Sequence, residues 1–365
     1  MSTRIVQLPR ESLLLLVPWL ILLIFGTVMV GSASVAMSGD FLSRQWANLC
    51  ISIFFMAIVL AMPLSVWRRF YALGWLVSLI VVALVLVPGV GHEVKGATRW
   101  IRLPGFNLQA VEVAKFGLMI YLAGYLARNH EQIQQSPLRI FIPLGMIFAI
   151  CGLVVAQPDL GSAAVLLAAT LSVLFMAGAK LRFVLLMLVG GGLLFALMIW
   201  LEPFRMRRMI AFTDPWAVPF DTGYQLVQAL IAFGRGELFG LGLGEGIQKL
   251  SYLPEAHNDF IFAVIAEELG SVGAIALIAL YSFFVLVVLS VAKRCLLAGN
   301  RFAAYCCYFA GFIFAYQFLV NVGVNVGVLP TKGLTLPFIS YGGNSLMISC
   351  ALFALVLRCS WAEES

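Results

Sequence analysis

Apolar residues in this chain gather into ten long runs, near 13–34, 46–63, 71–88, 111–127, 139–156, 160–178, 182–200, 259–290, 303–323 and 342–358, with polar breaks between them. A helix crossing a hydrocarbon core of roughly 30 Å needs about 20 mostly apolar residues, because each rises about 1.5 Å and only intrahelical bonding satisfies the backbone in lipid. The pattern predicts an all-α integral membrane protein of about ten transmembrane helices with two longer external loops. It reads as one polytopic membrane domain over residues 1–365, with no soluble domain. Two places admit a different count: the break at Gln157-Pro158-Asp159 and the apolar stretch after Asp221. An odd number of spans would put the two termini on opposite sides of the membrane. The first run starts at Leu13, is long enough to span and lacks a small-residue cleavage site, so it reads as a retained helix.

Composition agrees, since a chain that is 62% hydrophobic and only 11% charged has too few polar residues to cover a soluble core. With an even count both termini share a side, and 12 of the 23 Lys and Arg fall there: Arg4, Arg10, Arg68, Arg69, Arg128, Arg139, Lys180, Arg182, Lys293, Arg294, Arg301 and Arg358. Each short connector on that side carries at least two. The cations of the opposite side sit mostly in the two long loops, 89–110 and 201–258, among 13 acidic residues on that face. Positive-inside bias is read from short loops, so the termini are expected in the cytoplasm and the long loops outside. The formal charge of +6 then reports topology rather than a nucleic-acid partner. No cysteine falls in an external loop and no C-x-x-C pair occurs, so neither a disulfide nor a cysteine metal site is expected.

The remaining polar residues collect in three places. The first loop, PGVGHEVKGATRWIRLPGFNLQA (88–110), carries Arg99 and Arg102 around Trp100, a grouping suited to phosphate binding or to interfacial anchoring. It leads into a helix on which Glu112 and Lys115 share a face, as a structural ion pair or as ligand-facing groups. The second loop opens with Arg205, Arg207 and Arg208, a cluster fit for anionic lipid head groups or a pyrophosphate. An amphipathic segment around Gln225 and Gln228 follows, readable as an interfacial helix. Then comes the glycine-rich GELFGLGLGEGIQK, which matches no nucleotide-binding pattern. The third place is NVGVNVGVLPTKGLTLPFISYGGNSL (321–346), where prolines and glycines break an apolar run at membrane depth. Such a break is tolerated only against protein or a water-filled cavity, so a polar pocket is expected, with Lys332 as its cation and Ser340, Tyr341 and Asn344 as hydrogen-bonding groups.

One carboxylate stands out. In PEAHNDFI (254–261), Asp259 lies where a polar loop meets an apolar run, near water and at a helix start that favours an anion. It reads as a general base, with helix capping the competing reading. Were the segment extended, Glu255, His257 and Asp259 would face one side and could hold a divalent ion. No second His or Cys follows at ligand spacing, so no metal site is assigned. Glu267 and Glu268 lie deeper and need internal partners, which marks them as structural.

QKLSYLPEAHNDFIFAVIAEELG (248–270) and VLPTKGLTLPFISYGGNSL (328–346), with GATRWI and QPDLGSA (157–163), closely resemble the signatures of the SEDS family of shape, elongation, division and sporulation proteins. The resemblance covers essentially the whole chain and favours the division branch over the elongation branch. It implies a ten-helix glycosyltransferase of the bacterial inner membrane, active at the division septum. Such an enzyme polymerises lipid II, releases undecaprenyl pyrophosphate and works with a class B penicillin-binding transpeptidase and other division proteins. The family's aspartate falls on Asp259, its fourth-helix Glu and Lys on Glu112 and Lys115, its loop arginine on Arg99, and the last motif's lysine and serine on Lys332 and Ser340. His257 of the aspartate motif joins the implied substrate-binding set. No cofactor is required, although a divalent cation, Mg or Mn, carried by the pyrophosphate is compatible. The sequence departs from the family at QAVE (109–112), at Lys95 before Gly96, and at Asn344, all in loop-shaping positions. Two rival readings remain at this point: a lipid II flippase, and a non-catalytic scaffold of the division machinery.

Overall fold

The computed structural model describes residues 10–35, 41–94, 96–103, 106–135, 137–331 and 333–361. Four helices open the chain: α1 (Arg10–Ala33), α2 (Phe41–Ala61), the short α3 (Leu64–Arg69) and α4 (Tyr71–Leu84). A small antiparallel sheet follows, β1 (Gly91–Val94), β2 (Ala97–Leu103) and β3 (Phe106–Gln109), in the order β1-β2-β3. Then come α5 (Ala110–Gln135), α6 (Phe141–Ala156), α7 (Leu160–Met176), α8 (Leu181–Trp200), α9 (Pro203–Thr213), α10 (Tyr224–Gly236), α11 (Ile261–Leu297), α12 (Arg301–Asn325) and α13 (Gly343–Trp361). Among the described residues, seven helices (α1, α2, α5, α8, α11, α12 and α13) are long and apolar enough to cross a membrane. Three more, α4, α6 and α7, are apolar but shorter. Together they account for the ten apolar runs.

The start of α1 and the end of α13 bear on the parity. The Trp361 indole N–H donates to Ser12 Oγ at 2.9 Å, and Ser12 and Ser360 hydroxyls lie 3.5 Å apart, so the start of α1 and the end of α13 meet. An odd number of crossings would have parted them. The other end of the bundle therefore gathers the sheet, α9, α10 and the segment between α12 and α13. Contacts there agree: Asn344 Nδ2 at the start of α13 donates to Asn107 O in β3 at 2.6 Å, and Phe41 at the start of α2 packs edge-on against His257 and Tyr341. In lipid the hydrophobic effect gives helices no reason to associate, so close packing and buried polar contacts hold the bundle. Large apolar side chains from α11, α12 and α13, such as Phe284, Phe314 and Phe353, fill its centre.

Three regions differ from the expectation from sequence. The first loop is a three-stranded sheet, with Trp100 opposite Gln109 and Ile101 opposite Leu108. Its strands are too short and too exposed to leave a burial pattern in the sequence. Arg99 is the extra residue of a β-bulge in β2, since His92 pairs with Trp100 and Glu93 with Thr98. The run 259–290 is not one span either. Gly270 (φ 69, ψ −174) breaks α11 into an arm, 261–269, buried at every residue but Leu269, and a long remainder. At about 1.5 Å per residue, 271–297 reaches roughly 40 Å, enough to span alone. Finally, α10 does not lie free on an interface but buries Leu226, Val227, Ala229, Ala232 and Gly236, largely against α11.

The glycine-rich loop after α10 is pinned to the arm by charge. The Glu268 carboxylate accepts from Lys249 Nζ at 2.6 Å, Ser32 Oγ at 2.7 Å and Gly244 N at 3.1 Å. Glu267 accepts from the Ile247 and Gln248 amides, both at 3.1 Å, and pairs with Arg235 Nε at 3.2 Å. Glycine permits the approach: a Cβ at Gly240 would stand 2.1 Å from Glu268 O, and one at Gly270 2.4 Å from Gly240 N.

Candidate functional site

Asp259 sits at the junction this loop leads to. Residues 254–260 turn on themselves: the amides of Asn258 and Phe260 donate to Glu255 O at 3.0 and 3.3 Å, and Glu255 has φ +58. The extended arrangement of Glu255, His257 and Asp259 is therefore corrected, since a turn does not aim alternate residues at one point. Among the described residues no group of three or more His, Cys, Asp or Glu is arranged to hold a metal ion. The N-cap position of α11 falls on Phe260, which leaves Asp259 just outside the helix with its side chain partly exposed.

The backbone around Asp259 is gripped from two sides. Asn321 and Asn325 in α12 both donate through Nδ2 to Asp259 O, at 2.9 and 3.0 Å. From the broken segment, Ser340 Oγ donates to Asn258 O at 2.7 Å and accepts from Leu336 N at 2.8 Å, while Tyr341 N donates to His257 O at 2.9 Å. The His257 ring is buried edge-on between Phe41 and Tyr341. Phe338, with φ +69, accepts a left-handed backbone so that its ring can join Phe284, Phe314 and Phe353 in the core. This buried anchor turns the segment back past Asp259. The approach is close, for a Cβ at Gly333 would lie 2.8 Å from Asp259 Oδ2. Lys332, the neighbour of Gly333 and the expected cation, lies outside the described residues.

The other expected residues occupy two further places. Glu112 and Lys115 form a buried ion pair at 2.7 Å through Oε1, while Glu112 Oε2 has no hydrogen-bond partner among the described residues. The sheet reaches the Asp259 region through Asn107 and Asn344, whose buried Oδ1 is likewise unpartnered. Arg99 points to the turn before α7. Its Nη2 donates to Pro158 O at 2.5 Å and its Nε stands 3.8 Å from Asp159 Oδ2, the carboxylate that caps α7 by accepting from Ser162 N at 3.2 Å and Ser162 Oγ at 2.8 Å. Burial, and then the positive charge of Arg99, hold the Arg208 guanidinium below the usual arginine range. A cleft of about 270 Å³ opens beside them, lined by Val85, Pro88, Glu93, Thr98 and Ala156 among others. Its lining includes no residue of 254–260 or of the expected polar pocket at 321–346.

The asparagines of α12 are the members that sequence reading passed over. Two asparagines four apart inside an apolar run were the available signal, because a buried amide at membrane depth needs a specific partner.

A family model described as "Cell cycle protein", built on FtsW, RodA and SpoVE, matches residues 12–365. The "Probable peptidoglycan glycosyltransferase FtsW" of Pseudomonas fluorescens is 43% identical over 356 residues, covering 95% of this chain and 87% of that protein. Its namesake in Halomonas elongata is 46% identical over 355 residues, covering 94% and 89%. Among solved structures, a chain from work on structural coordination of polymerization and crosslinking by a peptidoglycan synthase complex superposes with a TM-score of 0.76 at 29% identity. The match covers 95% of this chain and 96% of that one. The rod shape determining protein RodA of Thermus thermophilus gives 0.71 at 29% identity with the same coverage.

Proposed function

Since the chain belongs to the FtsW, RodA and SpoVE family of cell cycle proteins, we propose that it is a multi-pass membrane peptidoglycan glycosyltransferase of the FtsW type, acting as a single membrane domain with Asp259 as its catalytic base. The observation that carries the mechanism is the placement of Asp259: outside its helix, partly exposed, its backbone fixed by two buried asparagines and its carboxylate against Gly333. In this reading the substrate is lipid II. Asp259 takes the proton from the 4-hydroxyl of the acceptor sugar as that oxygen bonds to the anomeric carbon of the donor. The bond from that carbon to the pyrophosphate breaks, undecaprenyl pyrophosphate leaves with the electron pair, and configuration inverts. General-base help of this kind contributes about 100- to 10,000-fold.

Negative charge grows on the leaving pyrophosphate, and Arg99, Lys115 and Lys332 are the cations assigned to it. Glu112 fixes Lys115 through the 2.7 Å pair, and its second oxygen, without a partner among the described residues, is assigned to a donor from the substrate. Ser340 holds the Asn258 backbone, so its part in substrate binding is to shape the segment; His257 contributes a ring wall between Phe41 and Tyr341. A divalent cation arriving with the pyrophosphate would share the charge stabilisation. The short basic connectors support a reading with both termini in the cytoplasm and the site on the outer face. The division septum, a class B penicillin-binding transpeptidase and other division proteins complete the assignment.

The test uses the purified full-length chain with labelled lipid II in detergent. Polymer longer than the substrate is the expected product. A protein that leaves lipid II monomeric under these conditions, with and without a cognate transpeptidase, is not the enzyme described, and movement of the label across a vesicle wall without polymer would mark a flippase.

A further inference from the structure

A carboxylate that stands outside its helix is placed by its own backbone and by the segment facing it. At Asp259 both of those are held by one pair of side chains. Asn321 and Asn325 are fully buried and one helical turn apart on α12, so they present two amides on one face. Both donate to the same acceptor, Asp259 O, at 2.9 and 3.0 Å.

Each amide also serves a second element. Asn321 Nδ2 donates to Leu334 O at 2.8 Å, and Asn325 Oδ1 accepts from Ala263 N at 3.0 Å, in the first turn of the arm. A third contact, Asn325 Nδ2 to Asn321 O at 2.8 Å, joins the two. Leu334 follows Gly333, the residue whose Cβ would meet Asp259 Oδ2 at 2.8 Å. Asn321 therefore grips both walls of the gap into which the carboxylate points, and Asn325 fixes the direction in which the arm leaves it. The primary amide suits this work, having two N–H donors and one acceptor on a short, uncharged stem. For packing alone an apolar side chain would serve at lower desolvation cost.

We infer that Asn321 and Asn325 are positioning residues, which set the separation of the Asp259 carboxylate from the facing 333–334 segment and thereby the rate of the chemical step. The inference rests on Asp259 as the base, and its test is built so that the two can fail separately.

The geometric arm of the test introduces Asp259→Cys and Gly333→Cys together in the full-length protein and follows disulfide trapping by mass spectrometry of the linked peptides. Trapping is expected to be fast with both asparagines present and at least about tenfold slower with Asn321→Leu and Asn325→Leu. The kinetic arm keeps Asp259 and Gly333. There the leucine variants are expected to lose about 100-fold in kcat per folded protein, the scale of a misplacement of about 1 Å, with KM within about threefold; the backbone groups they orphan lower the thermal midpoint, so rates are taken well below it. Asn325→Asp keeps the acceptor for Ala263 N but has no donor, so it must fall with the leucine variants. If the double variant does not fold, each single variant is read the same way. Unchanged trapping in folded variants overturns the inference, as does a kcat loss no greater than the loss of folded protein. Were Asp259 not the base, Asp259→Asn would polymerise normally while the trapping result stood unaltered.

Discussion

Two groups of ionised and amide side chains lie buried toward the same end of the bundle, and they are built differently. Around Glu267 and Glu268 both carboxylates are saturated: Lys249, Arg235, Ser32 and three backbone amides supply donors to all four oxygens. Around Asp259, the backbone is saturated but side-chain acceptors are not. Asn258 Oδ1 beside it, and Asn344 Oδ1 and Glu112 Oε2 elsewhere, are buried without a partner among the described residues. A fully partnered buried charge is the signature of structure, because its desolvation is compensated within the fold. Buried acceptors left open call for another explanation, and under the proposed function donors from a sugar would supply one. The contrast is one of carboxylates, since Gln248 Oε1 beside the glutamates is also without a partner among the described residues.

Substitutions can break that contrast, and the largest effect is expected on the saturated side. Lys249→Met leaves Glu268 buried against Ser32 and an amide alone. It is expected to cost about 3–5 kcal/mol of stability, seen as a lower thermal midpoint of the purified protein. Gly270→Ala forces a Cβ toward Gly240 N in a backbone conformation that only glycine adopts readily, and should cost about 1–3 kcal/mol by the same measurement. On the open side the readout changes. Glu112→Gln keeps the shape and an acceptor for Lys115 but strips that buried ammonium of its countercharge, so a lower thermal midpoint is expected, and polymerisation per folded protein should fall about tenfold, or about 1.4 kcal/mol in the barrier. Arg99→Ala removes a partly exposed cation 3.8 Å from its carboxylate, and stability should change by less than about 1 kcal/mol. A raised KM for lipid II in that variant sharpens the assignment of Arg99; an unchanged KM confines it to the turn before α7.

Much of this was legible in the chain. The ten apolar runs, their even count and the structural role of Glu267 and Glu268 follow from length and desolvation, which act on composition and hardly depend on detail. Asp259, His257 and Ser340 were found by resemblance and by their place at polar breaks, and the structure brings them onto adjoining backbone. What stayed hidden depends on geometry at single residues. Gly270 cuts one run into two because of its φ alone, and an alternation such as Glu255, His257, Asp259 means nothing until the backbone is known to be extended. The strands 91–94 and 106–109 are too short for a periodic signal. Asn321 and Asn325 sat in plain view, but an asparagine gives no hint of which carbonyl it will hold. Lys332 remains assigned by resemblance and position.

The central claim is that chemistry and architecture are separable here, with Asp259 on one side of the division. The most direct measurement compares Asp259→Asn with the wild type in a single preparation of the full-length protein, reading lipid II polymerisation and thermal stability together, with and without a class B transpeptidase. Polymerisation reduced by about 100-fold or more with an unshifted thermal midpoint is the predicted result. Normal polymerisation by that variant, or a loss of activity that follows a loss of folded protein, would contradict it.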